Sequence, residues 1–447
     1  MVDPNPPAAF TARLDTLRLP NTAFMEAHPG DPPRRQPVHV VYGGGHLFRA
    51  DTAAKLGEVA RRALAEYAAT PQDLDAALGL GTLAEAVHRR VVDKLQREPV
   101  EDFRIDFEDG YGTRPDADED RDVAAAAREL ARGYAERTLP EFIGLRVKPL
   151  TEELRVRSLR TLRLFVRTVL ETAGALPDNF IVTLPKITSL AQLEVFVDLL
   201  AELESECGLP AGRLRFEAMI ETPQNVLDAD GGSMMPRMIP AAKGRLQAAH
   251  FGTYDYTASL GITAAHQRMR HPACDHAKHV MQVSFAGTGV WLSDGSTAIL
   301  PVAVHSTAGG RVLDDAQRAE NRRGVHAAWR LHADDVRHSL AGGFYQGWDL
   351  HPAQLVSRYA AVFEFFLAGL APASERLQNF ISKAAQATLV GDVFDDAATG
   401  QGLLNYFLRG VQSGAVSEDE AVRLSGLTVD EIRGRSFVRI LKARGRA

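Results

Sequence analysis

Short apolar runs alternate with longer amphipathic segments over the first 350 residues, and this alternation constrains the fold more than any other feature of the chain. Seven runs are predicted strands, at residues 38–42, 103–107, 142–147, 180–184, 214–220, 246–251 and 298–304, and a weaker eighth lies at 339–345. The segments between them are long enough for helices, and those at 56–64 and 74–95 carry apolar residues at helical spacing.

Strands that alternate with helices form right-handed βαβ units and a parallel sheet, which is either closed as a barrel or open and doubly wound. The strand count favours a closed (β/α)8 TIM barrel. Beyond residue 350 the pattern is almost purely helical, at 355–370, 373–387 and 427–441. We therefore predict an N-terminal extension (1–36), a (β/α)8 barrel catalytic domain (37–350) and a C-terminal helical region (351–447).

Composition excludes several classes of protein. The 447 residues carry 51 basic and 57 acidic side chains, so no overall positive field attracts nucleic acid or an anionic membrane. Cys207 and Cys274 are too few for a disulfide framework or a multi-cysteine zinc site and are consistent with a reducing compartment. No apolar run approaches ~18 residues and no signal peptide is apparent, so we expect a soluble cytoplasmic protein without a nucleic-acid or membrane partner.

Ionisable residues stand where the predicted strands end. They are Asp106, Glu108 and Asp109 after the second strand, Arg146 and Lys148 after the third, Lys186 after the fourth, Glu221 after the fifth and Asp255 after the sixth. The carboxyl ends of barrel strands form the rim that carries catalysis in enzymes of this fold. The sequence therefore predicts one site at that rim.

Glu221 and Asp255 are separated by one helix and one strand, which places two carboxylates on neighbouring strands at the same mouth. Two hard oxygen ligands completed by water suit Mg²⁺ or Mn²⁺. Such an ion stabilises an enolate as a Lewis acid. Glu217 shares a strand face with Glu221 and is the competing ligand, but it lies deeper. His46, His250, His305 and His351 show no metal-ligand spacing, and we predict structural roles for them.

Seven short motifs occur in an order typical of one family. They are Asp106-Phe-Glu-Asp-Gly, Arg146-Val-Lys-Pro, Leu184-Pro-Lys-Ile, Ile220-Glu-Thr-Pro, Phe251-Gly-Thr-Tyr-Asp, Leu260-Gly and His351-Pro-Ala-Gln. In these the chain resembles the citrate lyase β-subunit and HpcH/HpaI aldolase family of the phosphoenolpyruvate/pyruvate superfamily, which is related to malate synthase. The resemblance spans roughly residues 103–396.

The resemblance implies roles for individual residues. Glu221 and Asp255 would ligate Mg²⁺, and Arg146 would contact the substrate oxygen on which negative charge develops. Asp106, Glu108 and Asp109 would lie around the metal and its waters. An aspartate near the C-terminus would be the catalytic acid or base, and Gly391-Asp-Val-Phe-Asp points to Asp395, with Asp396 as its competitor.

The chain also departs from that family. Lys148 replaces the usual asparagine, residues 231–235 lengthen the loop between the predicted metal ligands, and both ends are extended. We predict that Lys148 and Lys186 bind substrate. An imine on either lysine is the alternative, and it would need a depressed amine pKa.

These features predict a Mg²⁺-dependent carbon-carbon lyase or aldolase that acts on a 2-oxo acid or a 3-hydroxy acyl compound, free or as a CoA thioester. The alternatives are a malate-synthase-like enzyme that condenses an acyl-CoA with glyoxylate and, in a different class, a non-catalytic scaffold of an acyl-carrier complex. The expected partners are the small carboxylate or acyl-CoA substrate and further copies of the chain, as a trimer or hexamer.

Overall fold

The computed structural model describes residues 8–30, 32, 34–307, 311–382, 388–390, 393–395, 397–434 and 437–444. Eight parallel strands close into one barrel in sequence order. They are β1 (His39–Gly44), β2 (Asp102–Asp106), β3 (Phe142–Arg146), β4 (Phe180–Leu184), β5 (Arg215–Ile220), β6 (Leu246–Phe251), β7 (Trp291–Ser296) and β8 (Gln346–Asp349). The predicted (β/α)8 barrel is therefore confirmed.

Helices precede, separate and follow the strands. They are α1 (Ala8–Asp15), α2 (Arg18–Ala27), α3 (Thr52–Tyr67), α4 (Pro71–Leu78), α5 (Ala84–Arg97), α6 (Asp116–Glu136), α7 (Arg155–Ala173), α8 (Leu190–Cys207), α9 (Pro223–Val226), α10 (Met235–Ala241), α11 (Thr253–Ser259), α12 (Pro272–Phe285), α13 (Asp315–Ala341), α14 (Gln354–Ala368), α15 (Leu370–Ser382), α16 (Ala397–Gln412), α17 (Glu418–Ser425), α18 (Val429–Arg433) and α19 (Phe437–Ala443). The predicted helix at 74–95 is divided into α4 and α5, because Gly79 ends α4 with a left-handed φ of 71°.

The first six strands begin and end within two residues of their predicted positions, because each buries at least two apolar side chains. Every residue of β2, β3 and β4 is buried. Helices cover such strands from outside and side chains of the other strands cover them from inside, so β3 and β4 are mostly apolar, whereas β2 alternates apolar residues with buried charged ones.

The predicted positions of the last two strands are wrong. β7 is Trp291–Ser296, and the apolar stretch at 298–304 forms no strand. β8 is Gln346–Asp349, whereas 339–345 contains the end of α13 and a turn. Both strands carry polar residues that the barrel wall satisfies internally, as when the ammonium of Lys278 and the hydroxyl of Ser339 donate to Asp294. Apolar content alone therefore pointed to the wrong segments.

Beyond β8 most of the described residues are helical. α14 packs against α13, α5 and α3, which is the place of the helix that follows the eighth barrel strand. α15 to α19 form a further layer, and β9 (Thr388–Val390) pairs with β10 (Val393–Asp395) in a small antiparallel sheet. Within the described residues no single helix is long and apolar enough to cross a membrane, and only α14 and α15, bent by 41°, reach such a composition as a pair.

Candidate active site at the carboxyl end of the barrel

Arg146 is the fixed cation of the barrel mouth. It ends β3, its side chain is 1% exposed, and its Nε and Nη2 donate to the two oxygens of Asp106 over 2.8 and 2.5 Å. Asp106 also accepts from the backbone amides of Glu108 and Gly110. Both oxygens of Asp106 are thus occupied, so this carboxylate holds Arg146 in place.

Glu108 and Asp109 border the same arginine. The Nη1 of Arg146 lies 2.9 Å from Glu108 Oε2 and 3.4 Å from Asp109 Oδ2. The Arg146 guanidinium also lies over the rings of Tyr42 and Trp348, at 4.8 and 5.4 Å from their centroids. These contacts hold the guanidinium in one position at the end of β3.

Lys186 joins the acidic residues of several strand ends. Its Nζ contacts Glu108 and lies 3.3 Å from Asp109 and 3.4 Å from Asp255. Its backbone amide donates to Glu221 Oε1 over 2.7 Å, and its φ of 50° is left-handed. The backbone and the side chain of Lys186 therefore link the predicted metal ligands to Glu108 and Asp109, the acids that follow β2.

Glu221 is held at the end of β5 by the turn into α9. Its backbone amide donates to the side chain of Asn225, and Thr222 begins α9 in a capping box with Asn225. The Glu221 side chain is buried, whereas the side chain of Asp255, in the first turn of α11, is 41% exposed. Gly252 leaves room for Glu221, because a Cβ on this glycine would lie 2.4 Å from Glu221 Oε2.

Burial and crowding change the acidity of these groups. Burial raises the pKa of Glu221 to about 8. The positive charge of Lys186 acts to lower this pKa, and the negative charge of Asp255 acts to raise it. Burial also raises the pKa of Glu108 to about 7, although Arg146 and Lys186 act in the opposite direction. Burial acts to lower the pKa of Lys186, but Glu221 and Glu108 outweigh it and raise that pKa. A lysine with a raised pKa is a cation rather than the amine that an imine requires.

The residues present fit a divalent cation. Asp106, Glu108, Asp109, Glu221 and Asp255 bring five carboxylates around only two cationic side chains. Asp106, Glu108 and Glu221 are buried and need compensating charge, whereas Asp109 and Asp255 are partly exposed. Carboxylate oxygens are the ligands that Mg²⁺ prefers. Among the described residues no three His, Cys, Asp or Glu side chains form a ready metal cage. Glu221 and Asp255 would thus supply two ligands, with water and substrate supplying the others.

Three predicted residues lie apart from this cluster or outside the description. The Lys148 ammonium donates to the Phe107 carbonyl over 2.6 Å and lies 2.9 Å from Glu119 of α6. It therefore pairs with an acid of α6 and not with Glu108, Asp109, Glu221 or Asp255. Asp395 ends β10, and nothing of its side chain is described. Asp396 lies outside the described residues.

Glu217 lies inside the barrel, as expected. It is fully buried and accepts from Thr183 over 2.8 Å and from Tyr42 over 3.2 Å. His250 is also fully buried, with its ring centroid 6.1 Å from that of Tyr42 and 5.7 Å from that of Trp348. Burial lowers the pKa of His250 to about 4.

Sequence reasoning missed Tyr42 and Trp348, which are half-buried and lie beside Arg146. Tyr42 was part of a predicted apolar strand, and Trp348 lay beyond the predicted position of the last strand. An aromatic residue close to a strand end is the signal that could have identified both.

Solved structures share the barrel. A citrate lyase of Burkholderia xenovorans is 20% identical, with a TM-score of 0.52 over 77% of this chain and 93% of its own. The CitE protein of Mycobacterium tuberculosis, solved with magnesium, acetoacetate and coenzyme A, is 17% identical, with a TM-score of 0.49 over 86% and 100%. Malate synthase of Haloferax volcanii is 15% identical, with a TM-score of 0.46 over 91% and 97%. At 20% identity, the likeness to the Burkholderia protein shows the fold alone.

No curated protein matches the sequence significantly. One protein family, described as a domain of unknown function (DUF6986), matches residues 17–440, which is almost the whole chain. The chain belongs to the DUF6986 family.

Proposed function

We propose that this protein is a Mg²⁺-dependent carbon-carbon lyase or aldolase that acts through an enolate on a 2-oxo acid or a 3-hydroxy acyl substrate. The observation that carries the proposal is the pairing of a rigid cation with a carboxylate cluster at the catalytic end of the barrel. Arg146 is locked by Asp106, and Lys186 connects Glu108 and Asp109 to Glu221 and Asp255.

Arg146 would stabilise the negative charge that develops on a substrate oxygen. A buried guanidinium that is already aligned costs no reorganisation during the reaction, and its charge acts strongly where water is excluded. The ion pairs with Asp106 and Glu108 raise its pKa well above the usual range, so it stays protonated. Glu108 lies between the cationic groups of Arg146 and Lys186 and contacts both.

Glu221 and Asp255 would hold Mg²⁺, which when bound supplies Lewis-acid polarisation of a ketone or carboxylate oxygen. Burial raises the pKa of Glu221, and a bound cation beside this carboxylate would favour its ionised form. We assign proton transfer to Asp395 or Asp396, from the sequence resemblance. The substrate would be a small carboxylate or an acyl-CoA, and we propose assembly as a homo-oligomer.

The test is Mg²⁺-dependent breakdown of a panel of 3-hydroxy acids and their CoA thioesters, followed by release of pyruvate, glyoxylate or acetyl-CoA. The Glu221→Gln variant removes the charge of a predicted ligand at constant size. Glu202 on α8 is exposed and lies on the outer layer of the barrel, so Glu202→Gln is the matched control.

We expect turnover that requires Mg²⁺, that is lost in Glu221→Gln and that is kept in Glu202→Gln. Calorimetric titration of Mg²⁺ into each protein gives a readout that does not depend on the choice of substrate. If the wild type neither turns over the panel nor binds Mg²⁺, the lyase proposal fails and the scaffold alternative replaces it.

A further inference from the structure

A cavity of about 500 Å³ lies at the amino-terminal end of the barrel, away from the catalytic rim. One wall is a face of α5, and Glu98, which follows α5 and precedes β2, borders it. The opposite wall comes from α16, α17 and α18. The cavity therefore separates the barrel from the C-terminal helices. Its volume is in the range of small-molecule sites, and such sites often lie where two layers of a protein meet.

The α5 wall is charged. Lys94 is 8% exposed, and its ammonium contacts Glu98 and Glu101. Arg90 donates to the Ala415 carbonyl over 3.0 Å and pairs with Glu420, so it fastens the C-terminal helices to α5. The cationic groups of Lys94 and Arg90 are thus already paired with carboxylates of the protein itself.

Two arginines at the border of the cavity are held more loosely. Arg97 pairs with Asp93, and these side chains are 71% and 52% exposed. Arg433 pairs with Glu418, and these are 60% and 46% exposed. Solvated ion pairs of this kind contribute at most about 1 kcal/mol. Either guanidinium can therefore exchange its partner for another anion, and the planar donor fork suits a carboxylate.

Part of the lining is apolar. On α16 and α18, Leu408 and Ile432 are buried and Val411 and Val429 are half-buried, and the buried Phe363 of α14 borders the same cavity. Polar residues, among them Glu418 of α17, complete the lining. Water beside the apolar part finds few hydrogen-bond partners, and replacing poorly ordered water by an apolar group gains affinity.

We propose that this cavity is a second binding site, which takes an organic anion with an apolar chain of medium length. The carboxylate would pair with Arg97 and Arg433 at the border, and the chain would cover the apolar wall of α16 and α18. The inference does not depend on the proposed lyase activity, because the cavity and the catalytic rim lie at opposite ends of the barrel.

The probe is octanoate, titrated calorimetrically into the full chain. Acetate has the carboxylate without the chain, and octanol has the chain without the carboxylate. The double variant Arg97→Gln/Arg433→Gln removes both border cations, and Val411→Trp narrows the cavity beside its apolar wall. Arg155→Gln is the matched control, because Arg155 forms the same kind of exposed ion pair, with Glu152, on a helix far from the cavity lining.

We expect saturable 1:1 binding of octanoate, at least about tenfold weaker binding of acetate and octanol, and unchanged binding in Arg155→Gln. Binding should weaken at least about tenfold in the double variant and should also weaken in Val411→Trp, because the larger side chain narrows the space for the apolar chain. A factor of ten corresponds to about 1.4 kcal/mol. Both border arginines are exposed, so the double variant should fold normally, which a thermal melt checks. No saturable binding by the wild type, or full binding by the double variant, overturns the proposal.

Discussion

The ammonium of Lys186 compensates part of the negative charge of the carboxylates that we propose as a metal site. Its ammonium lies among Glu108, Asp109 and Asp255, and its own pKa is raised by the surrounding acids. Two roles are compatible with this position. Lys186 can be a counter-ion that shares the carboxylates with Mg²⁺, or it can be a group that binds substrate.

The Lys186→Met variant separates these roles. In EDTA we expect a lower Tm than that of the wild type, because the acids lose their compensating charge. Mg²⁺ should then bind more tightly by about tenfold, since no ammonium competes for the same oxygens. Differential scanning fluorimetry with and without Mg²⁺ measures both effects, with Lys55→Met as the control for an exposed lysine pair. Weaker Mg²⁺ binding in Lys186→Met would contradict the counter-ion role.

His250 carries a pH dependence of folding. Its pKa is about 4 in the folded protein, below the usual 6.5, so the unfolded chain binds the extra proton between these values. The stability that His250 contributes is therefore complete above about pH 6.5 and is lost as the pH falls toward 4. Between about pH 7.5 and 5 this loss is roughly 2 kcal/mol.

We expect His250→Phe to lose correspondingly less stability than the wild type between these two pH values. Phenylalanine fills the space beside Tyr42 and Trp348 and does not titrate. Urea unfolding at both pH values measures the difference, and His276→Gln, at an exposed position, should behave like the wild type. Equal pH dependence in His250→Phe and the wild type would show that His250 is not the titrating group.

At the scale of elements, the junction of β6 and α11 decides the geometry of the predicted metal ligands. Gly252 directly precedes α11 and has a φ of −102°, which any residue adopts, so only its lack of a side chain matters. An added Cβ would lie 2.6 Å from the Cβ of Glu221. The two neighbouring strand ends are therefore fitted closely together.

Gly252→Ala should displace Glu221 and weaken Mg²⁺ binding by about 10–100-fold, the usual cost of disturbing the support of a metal ligand. Isothermal titration with Mg²⁺ measures the change. In the matched control Gly402→Ala, the new methyl group on α16 meets nothing within 4 Å and the helix gains about 0.5–1 kcal/mol. If both variants bind Mg²⁺ like the wild type, Glu221 is not held as described.

Sequence predicted the strands that bury several apolar side chains and failed for the two that bury few. β1 to β6 each bury at least two apolar side chains, even where a polar one such as Arg104 is buried beside them, whereas β7 buries only Trp291 and β8 buries none. Their Asp294 and Asp349 become acceptable only through partners such as Lys278 and Arg358, which lie on neighbouring helices and become adjacent only after folding. A pattern of single residues therefore cannot identify such strands.

The sequence also predicted the candidate site only in part. Arg146 and Lys148 are two residues apart, and strand alternation would place both on one face. β3 ends at Arg146, so Lys148 is free of that alternation and its ammonium contacts Glu119. Strand ends thus predicted which residues approach the mouth, but not which side chains remain in it.

At the scale of the whole molecule, the barrel and the C-terminal helices share buried contacts. α14 packs on the barrel helices, and α16 packs on α14 in turn. Polar contacts cross the same boundary, since Arg409 donates to Gln36 over 2.7 Å and Arg90 pairs with Glu420. We expect the two parts to unfold together although the sequence divides them near residue 350.

The three tryptophans provide the test, because Trp291, Trp329 and Trp348 all lie before that division. Fluorescence therefore follows the barrel, whereas far-ultraviolet circular dichroism also follows the C-terminal helices. Phe407 on α16 is fully buried, and Phe407→Ala should cost about 3–5 kcal/mol. In urea we expect the two signals to coincide in the wild type and to shift together in the variant.

An exposed substitution on the same helix, Gly402→Ala, controls for effects on α16 alone. If the fluorescence transition stayed in place while the circular dichroism transition moved, the C-terminal helices would be an independent folding unit. Their loss would then leave the barrel and its catalytic rim intact. A joint shift would instead mean that packing of the C-terminal helices, Phe407 included, contributes to the stability of the barrel and of its catalytic rim.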